Sequence, residues 1–155
     1  MQNRREMLSH SVKVAAMLAA VGLMPGLAQA QAAAYNTPAF AAKTLAEVMK
    51  ALGAAMPAES KDVTITGPDI AENGAVVPVG AATTLPGVKR LLMMVEKNPA
   101  MLAAMFNVTD AIDANISTRV KMGQSSDVYA VAMMNDGKVL FARKEIKVTL
   151  GGCGG

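Results

Sequence analysis

The sequence is poor in the residues that most enzymes use for chemistry. Its 155 residues include one cysteine, one histidine and no tryptophan, and aromatic residues make up 3%. The single histidine, His10, lies in an N-terminal segment that we expect to be removed. A mature chain without histidine excludes Ser-His-Asp catalysis, Cys-His catalysis and histidine metal sites. One cysteine also permits neither an intrachain disulfide nor a Cys-x-x-Cys site.

Residues 1–30 have the three-part layout of a cleaved export signal. Arg4 and Arg5 form a basic start, a modestly apolar stretch follows, and small residues complete a cleavage site at Ala28 and Ala30. The adjacent arginines favour twin-arginine export over general secretion. The apolar stretch is too short to span a membrane, and no longer one follows it. We therefore predict a periplasmic protein, cleaved after Ala30.

The charge of the remaining 125 residues is close to neutral. They hold 12 lysines and arginines against 11 acidic residues, a formal charge of +1, whereas the whole chain has +3. No basic block with interleaved aromatic residues remains, which excludes an ordinary nucleic-acid interface. A chain of this length is long enough for one domain with a real core.

Residues 31–150 are predicted to form that single domain, beginning with a helix. Thr37 followed by Pro38 is typical of a helix start, apolar residues then recur every three or four positions, and Gly53 is a natural stop. The pattern predicts an amphipathic helix over about 38–52, which packs on the domain or on a partner subunit.

From residue 60 onward the apolar pattern has the period of two that is typical of strands. Residues 88–95 are apolar on both faces and predict a central strand covered on both sides. Pro78 predicts an edge strand or a bulge, and Asn-Asp-Gly at 135–137 predicts a hairpin. About seven short strands with close turns predict an immunoglobulin-like antiparallel β-sandwich over about 60–150.

Two further groups of residues allow a functional interpretation. Clustered methionine thioethers, such as those of Met93 and Met94, can bind copper(I). Adjacent methionines on a strand nevertheless point to opposite faces, which favours filling gaps in a core or an interface. Asp110 and Asp113 could act as an acid/base pair, but solvation or capping of a loop is the simpler interpretation.

The chain ends with its only cysteine, Cys153, between two pairs of glycines, Gly151, Gly152, Gly154 and Gly155. Glycine runs and chain termini resist a fixed backbone conformation, so we expect residues 151–155 to form a mobile arm. Nothing nearby lowers the thiol pKa of about 8.5, so activation must come from a partner's pocket. The pattern predicts a carrier on which a substrate rides as a covalent sulfur adduct.

Residues 148–155 resemble the C-terminal signature of the SoxY family, the sulfur carriers of bacterial thiosulfate oxidation. Similar stretches lie at 70–79, 98–99 and 116–122. The resemblance implies an immunoglobulin-like domain, paired with a SoxZ-like companion, with Cys153 as the sulfur attachment site. It also implies a SoxAX-like haem enzyme that joins thiosulfate to the cysteine, a SoxB-like hydrolase that leaves a persulfide and, where present, a sulfane dehydrogenase. The chain itself would then be a substrate-bearing subunit without turnover, metal or cofactor of its own.

Two alternatives use the same terminus differently. Cys153 could form an intermolecular disulfide, as in an exported interaction protein. The Gly155 carboxylate could instead become a thiocarboxylate, as in ubiquitin-like sulfur carriers, although export weighs against that chemistry. For the companion subunit, the surfaces around 76–79 and the helix at 38–52 are candidate docking sites.

Overall fold

The computed structural model describes residues 36–150, in which two short helices precede nine strands. The elements are α1 (Thr37–Ala41), α2 (Leu45–Ala51), β1 (Ala58–Glu59), β2 (Val63–Thr66), β3 (Ile70–Asn73), β4 (Val77–Thr83), β5 (Val88–Val95), β6 (Leu102–Asn107), β7 (Asn115–Val120), β8 (Ser126–Met134) and β9 (Val139–Leu150). None of the helices in this part of the chain is long and apolar enough to cross a membrane.

The strands form two sheets that pack face to face. The larger sheet has the order β1-β9-β8-β5-β6, and β3 also pairs with β9; the smaller sheet has the order β2-β4-β7. This arrangement confirms the predicted immunoglobulin-like β-sandwich. Its pairing is mixed rather than wholly antiparallel, because β1 and β3 each run parallel to β9.

Strand β5 lies between two hydrophobic cores, as its apolar pattern predicted. Leu91 and Met93 point into the core between the two sheets, whereas Leu92 and Met94 pack in a second core beneath the helices. All four side chains are at most 2% exposed. The adjacent methionines therefore fill opposite cores, which confirms the structural interpretation of this pair.

The prediction of one helix over about 38–52 is wrong, because the chain breaks between α1 and α2. Thr44 has an extended backbone (φ −127°, ψ 156°) and begins a new helix with a capping box. Its hydroxyl accepts a hydrogen bond from Glu47 N, and its own backbone N–H donates to the Glu47 carboxylate, both at 3.3 Å. The first helix also starts one residue early, since Asn36 and not Thr37 caps it. Gly53, at φ 63°, ends the second helix as expected.

Replacing Thr44 with alanine should lower the free energy of unfolding by about 1 kcal/mol, the usual cost of losing an N-cap side chain. Urea denaturation measures the change as a lower midpoint with an unaltered slope. The matched control is Thr109→Ala, at an exposed loop threonine. Equal midpoints for the two variants would contradict the capping role.

The helices cover this domain's own sheet, which decides between the two packing options for the amphipathic segment. Val48 and Met49 of α2 are buried against the outer face of the larger sheet. The candidate docking surface at 76–79 is divided, because Val77 and Val79 lie in the sandwich core whereas Val76 and Pro78 are exposed. The buried residues of both segments thus belong to the fold itself, and the companion surface stays a prediction.

The two turn predictions fare differently. The 135–137 hairpin is confirmed: Gly137 has φ 88°, and Met134 N donates to Lys138 O at 2.8 Å. The edge-strand prediction for Pro78 is wrong, because β4 is the middle strand of its sheet. Proline is tolerated there because β2 pairs with β4 only from Gly80 onward, which leaves β7 as the neighbour at Pro78.

Candidate functional site

The residues with predicted functional roles lie outside the described part of the chain. This holds for Cys153, for the arm glycines, and for the signal residues Arg4, Arg5, Ala28 and Ala30. What the structure does describe is the strand that leads to the cysteine. Strand β9 ends at Leu150, three residues before Cys153.

Strand β9 is the longest strand described, and the core fixes its position. It has 12 residues and pairs with β8 along most of its length. Ile146 is completely buried in the sandwich core, whereas the neighbouring Lys147 is exposed. This alternation fixes which face of the strand turns inward as far as Val148, which packs against the same core.

The C-terminal end of β9 is held by a neighbour that the sequence analysis missed. Strand β3 pairs with it in parallel, with Ile70 opposite Lys147 and Asn73 opposite Leu150. Immediately after β3, Gly74 N donates a 2.7 Å hydrogen bond to Leu150 O. The last described residue is therefore bonded to the body of the domain.

Two side-chain hydrogen bonds reinforce this end of the strand. The Thr149 hydroxyl donates to Glu72 O at 3.0 Å, and Val148 N donates to the Ser125 hydroxyl at 2.9 Å. Glu72 is 77 positions from Thr149 in sequence. Contacts at such a separation leave no local signal, although the Ile-Ala-Glu-Asn sequence of β3 lies in a stretch that resembles the SoxY pattern.

An ion pair fixes the start of β3 against β9. Lys144 Nζ lies 2.8 Å from an Asp69 carboxylate oxygen and also donates to Gly67 O at 2.6 Å. The hydrogen bond and positive charge of Lys144 lower the pKa of Asp69 below its usual 3.8. Lys147 N additionally donates to Asp69 O at 3.0 Å. Backbone and side-chain contacts thus act together at this junction.

This ion pair predicts a pH dependence of stability. The pKa of Asp69 is lower in the folded state than its unfolded value of 3.8. The ion pair therefore stabilises the fold fully above the unfolded pKa, and this contribution is lost as the pH falls below 3.8 and through the folded pKa. Asp69→Asn should therefore lower the urea midpoint slightly at pH 7, as for other exposed pairs, and leave it unchanged near pH 2. An equal difference at both pH values would contradict this assignment.

A cleft lies at the other end of the sandwich, where β9 begins. It has a volume of about 770 Å³ and is lined by parts of segments 61–64, 82–88 and 108–115. Asp110 and Asp113 line it from the loop between β6 and β7, and both are exposed, in agreement with loop solvation. Among the described residues, no group of three or more His, Cys, Asp or Glu side chains could hold a metal ion.

The match to a protein family extends from α2 to the cysteine. The family model for the sulfur oxidation protein SoxY matches residues 48–153. The chain belongs to the SoxY family. The match spans the sandwich, the whole of β9 and Cys153 itself.

A solved structure of the same family supports this membership. The sulfur carrier protein SoxY from Chlorobium limicola f thiosulfatophilum is 32% identical to this SoxY-family chain, with a TM-score of 0.59 over 66% of this chain and 93% of that one. A putative superoxide reductase from Thermotoga maritima is 10% identical, with a TM-score of 0.50 over 59% of this chain and 93% of that one, and shows the shared fold alone. No curated protein sequence matches the chain significantly.

Proposed function

We propose that this SoxY-family chain is a periplasmic sulfur carrier that holds thiosulfate-derived groups on Cys153 and presents them to partner enzymes. The observation that carries the proposal is the family match, which includes the cysteine itself. The 32% identity to a protein described as a sulfur carrier supports it. The bonded end of β9, three residues before Cys153, supplies a rigid base for such a role.

The carrier cycle starts with formation of a sulfur–sulfur bond. The Cys153 thiolate joins thiosulfate, Cys–S⁻ + S₂O₃²⁻ → Cys–S–S–SO₃⁻ + 2 e⁻, and a haem enzyme accepts the two electrons. A hydrolase then adds water, Cys–S–S–SO₃⁻ + H₂O → Cys–S–S⁻ + SO₄²⁻ + 2 H⁺. The persulfide left on Cys153 is the substrate of any later oxidation.

The chain itself supplies the attachment atom and leaves activation to its partners. A free cysteine has a pKa of about 8.5, so only a small fraction is thiolate near neutral pH. Neither histidine nor another cysteine follows residue 30 to serve as a base or a resolving thiol. Partner pockets must therefore lower the pKa of the Cys153 thiol, and the chain needs no cofactor of its own.

The companion and the location complete the proposal. We place the chain in a heterodimer with a SoxZ-like subunit. Export by the twin-arginine route suits this assembly, because that route moves folded cargo and could take a bound companion without its own signal. The N-terminal layout around Arg4, Arg5 and Ala30 supports the location.

The direct test is to incubate the purified protein with thiosulfate and a SoxAX-like haem enzyme. Trypsin should release residues 148–155 as one peptide, because Lys147 precedes it. We expect this peptide to gain the mass of a thiosulfate adduct that reductant removes. Absence of any adduct on this peptide, with the haem enzyme shown to be active, would overturn the proposal.

Adding one alanine after Gly155 separates this proposal from a thiocarboxylate carrier. A thiocarboxylate requires the terminal carboxyl group of Gly155, whereas a cysteine adduct does not. We expect the extended protein to load at a rate within about twofold of the unmodified one, with the adduct still on Cys153. Loss of loading in the extended protein would favour the terminal carboxylate.

A further inference from the structure

The end of β9 carries apolar side chains that its own domain leaves exposed. The described residues include five exposed large apolar side chains: Met56, Ile70, Val76, Ile112 and Leu150. Leu150 is 67% and Val76 is 54% exposed. A single exposed apolar residue is ordinary, but these two lie close to one backbone hydrogen bond that joins their segments, between Gly74 and Leu150.

Gly74 joins the segment that contains Val76 to the end of β9. Its backbone N–H donates to Leu150 O at 2.7 Å, and its carbonyl accepts a hydrogen bond from Met122 N at 2.7 Å. Val76 follows Gly74 by two residues, and its N–H donates to Asn73 O at 3.4 Å. Backbone hydrogen bonds to Asn73 and Gly74 therefore hold Val76 and Leu150 near each other. We call this pair of residues the exit collar.

Covalent geometry ties the exit collar to the cysteine. Three residues separate Leu150 from Cys153, and three residues span at most about 10 Å. An enzyme that reacts with a group on Cys153 must bring its active-site entrance within that distance of Leu150. The surface around Leu150 must therefore contact the rim of the active-site entrance, whatever other contacts the enzyme makes with this domain.

The charges around the exit collar fit an interface with an apolar centre and a polar rim. Glu72 precedes Gly74 by two residues, Lys121 precedes Met122, and Lys147 precedes Leu150 by three. All three of these charged residues are exposed. Ile112, beside Asp110 and Asp113, precedes β7, whereas Met122 follows that strand, so Ile112 lies at the opposite end of the sandwich.

We propose that the exit collar, Val76 and Leu150, is the docking surface for the apolar rim of the active-site entrance of the hydrolase that acts on the Cys153 adduct. The inference rests on the proposed function, because it needs chemistry on Cys153. Docking at Val76 and Leu150 brings the active site within about 10 Å of Leu150, the distance that the three residues to Cys153 can span. The collar acts by positioning and has no part in the chemical step.

The test uses adduct that is loaded without any partner enzyme. Tetrathionate converts a thiolate directly, Cys–S⁻ + S₄O₆²⁻ → Cys–S–S–SO₃⁻ + S₂O₃²⁻, so loading does not depend on docking. Sulfate release by a SoxB-like hydrolase is then measured over a range of carrier concentrations. Melting temperatures and intact masses show that each variant is folded and equally loaded before the assay.

The variant Val76→Ser/Leu150→Ser should lower kcat/KM roughly tenfold, the effect of losing two apolar contacts at an interface. The loss should appear in KM, with kcat little changed. Val76→Thr, which keeps the shape of the side chain, tests the same surface if the double variant is unstable. Ile112→Ser, at the other end of the sandwich, is the matched control and should behave as the unmodified protein.

The outcomes separate the two proposals. An unchanged KM for the collar variants, with wild-type carrier turned over normally, overturns the docking surface and leaves the carrier function intact. An equal rise in KM for Ile112→Ser also overturns it, because the effect would then be unspecific. If the hydrolase releases no sulfate from loaded wild-type protein, the carrier function itself fails.

Discussion

Replacing Cys153 with serine is expected to abolish sulfur loading completely. The serine hydroxyl cannot form the sulfur–sulfur bond on which the proposed cycle depends, and no other cysteine exists in the chain. Incubation with thiosulfate and the haem enzyme should leave the intact mass of the variant unchanged, while the unmodified protein gains one adduct. Loss of thiosulfate oxidation by the reconstituted system should follow.

The same variant also serves as its own folding control. Cys153 follows the last described strand by three residues, and we expect the free energy of unfolding of the variant to stay within about 0.5 kcal/mol of the unmodified protein. Retention of thiosulfate oxidation with loss only of a covalent dimer would contradict the carrier proposal. That result would favour the intermolecular disulfide.

Truncating the centre of β5 should have the largest effect on stability. Leu91 and Leu92 are both 0% exposed, one in the core between the sheets and the other beneath the helices. Leu→Ala at a buried site removes transfer free energy and leaves a cavity, at a cost of about 2–5 kcal/mol. We expect each variant to lose that amount in urea denaturation.

The two leucines also test the two-core arrangement. Because they occupy separate cores, the costs of Leu91→Ala and Leu92→Ala should each be large, whereas Ile112→Ala, at a half-exposed site, should cost about 0.5 kcal/mol or less. A cost below about 1 kcal/mol at Leu92 would contradict burial beneath the helices.

Features that depend on local sequence were predictable. The apolar run at residues 91–95 of β5 indicated a strand covered on both faces, since a half-exposed strand would alternate. The Asn-Asp-Gly turn before Lys138 was predictable because glycine readily adopts the positive φ of 88° found at Gly137. Seven strands of this kind were enough to indicate the immunoglobulin-like sandwich.

The break between the two helices and the pairing of β3 with β9 were not predictable from local sequence. No proline or glycine separates the helix start at Pro38 from the apolar recurrence that begins at Leu45, but the capping box of Thr44 and Glu47 starts a new helix there. Strand β3 lies between two turn signals and is only four residues long, so its apolar residues show no clear period of two. Its pairing depends on β9, about 77 positions away.

The candidate site likewise has a part that the sequence predicts and a part that only the fold shows. Cys153 was recognisable from sequence because it is the only cysteine and lies between two pairs of glycines. The bonds that hold Leu150 to Gly74, and Thr149 to Glu72, could be found only from the fold. The exit collar follows from these bonds, because they bring Val76 beside the end of β9.

The most direct test of the carrier proposal is the mass of the protein as cells make it. The chain should be purified with its bound partners from the periplasm of cells growing on thiosulfate, and the intact complex weighed before and after reduction. We predict sulfur-containing mass increments that reductant removes and that map to residues 148–155. Finding only the unmodified thiol at Cys153 during active thiosulfate oxidation would contradict it.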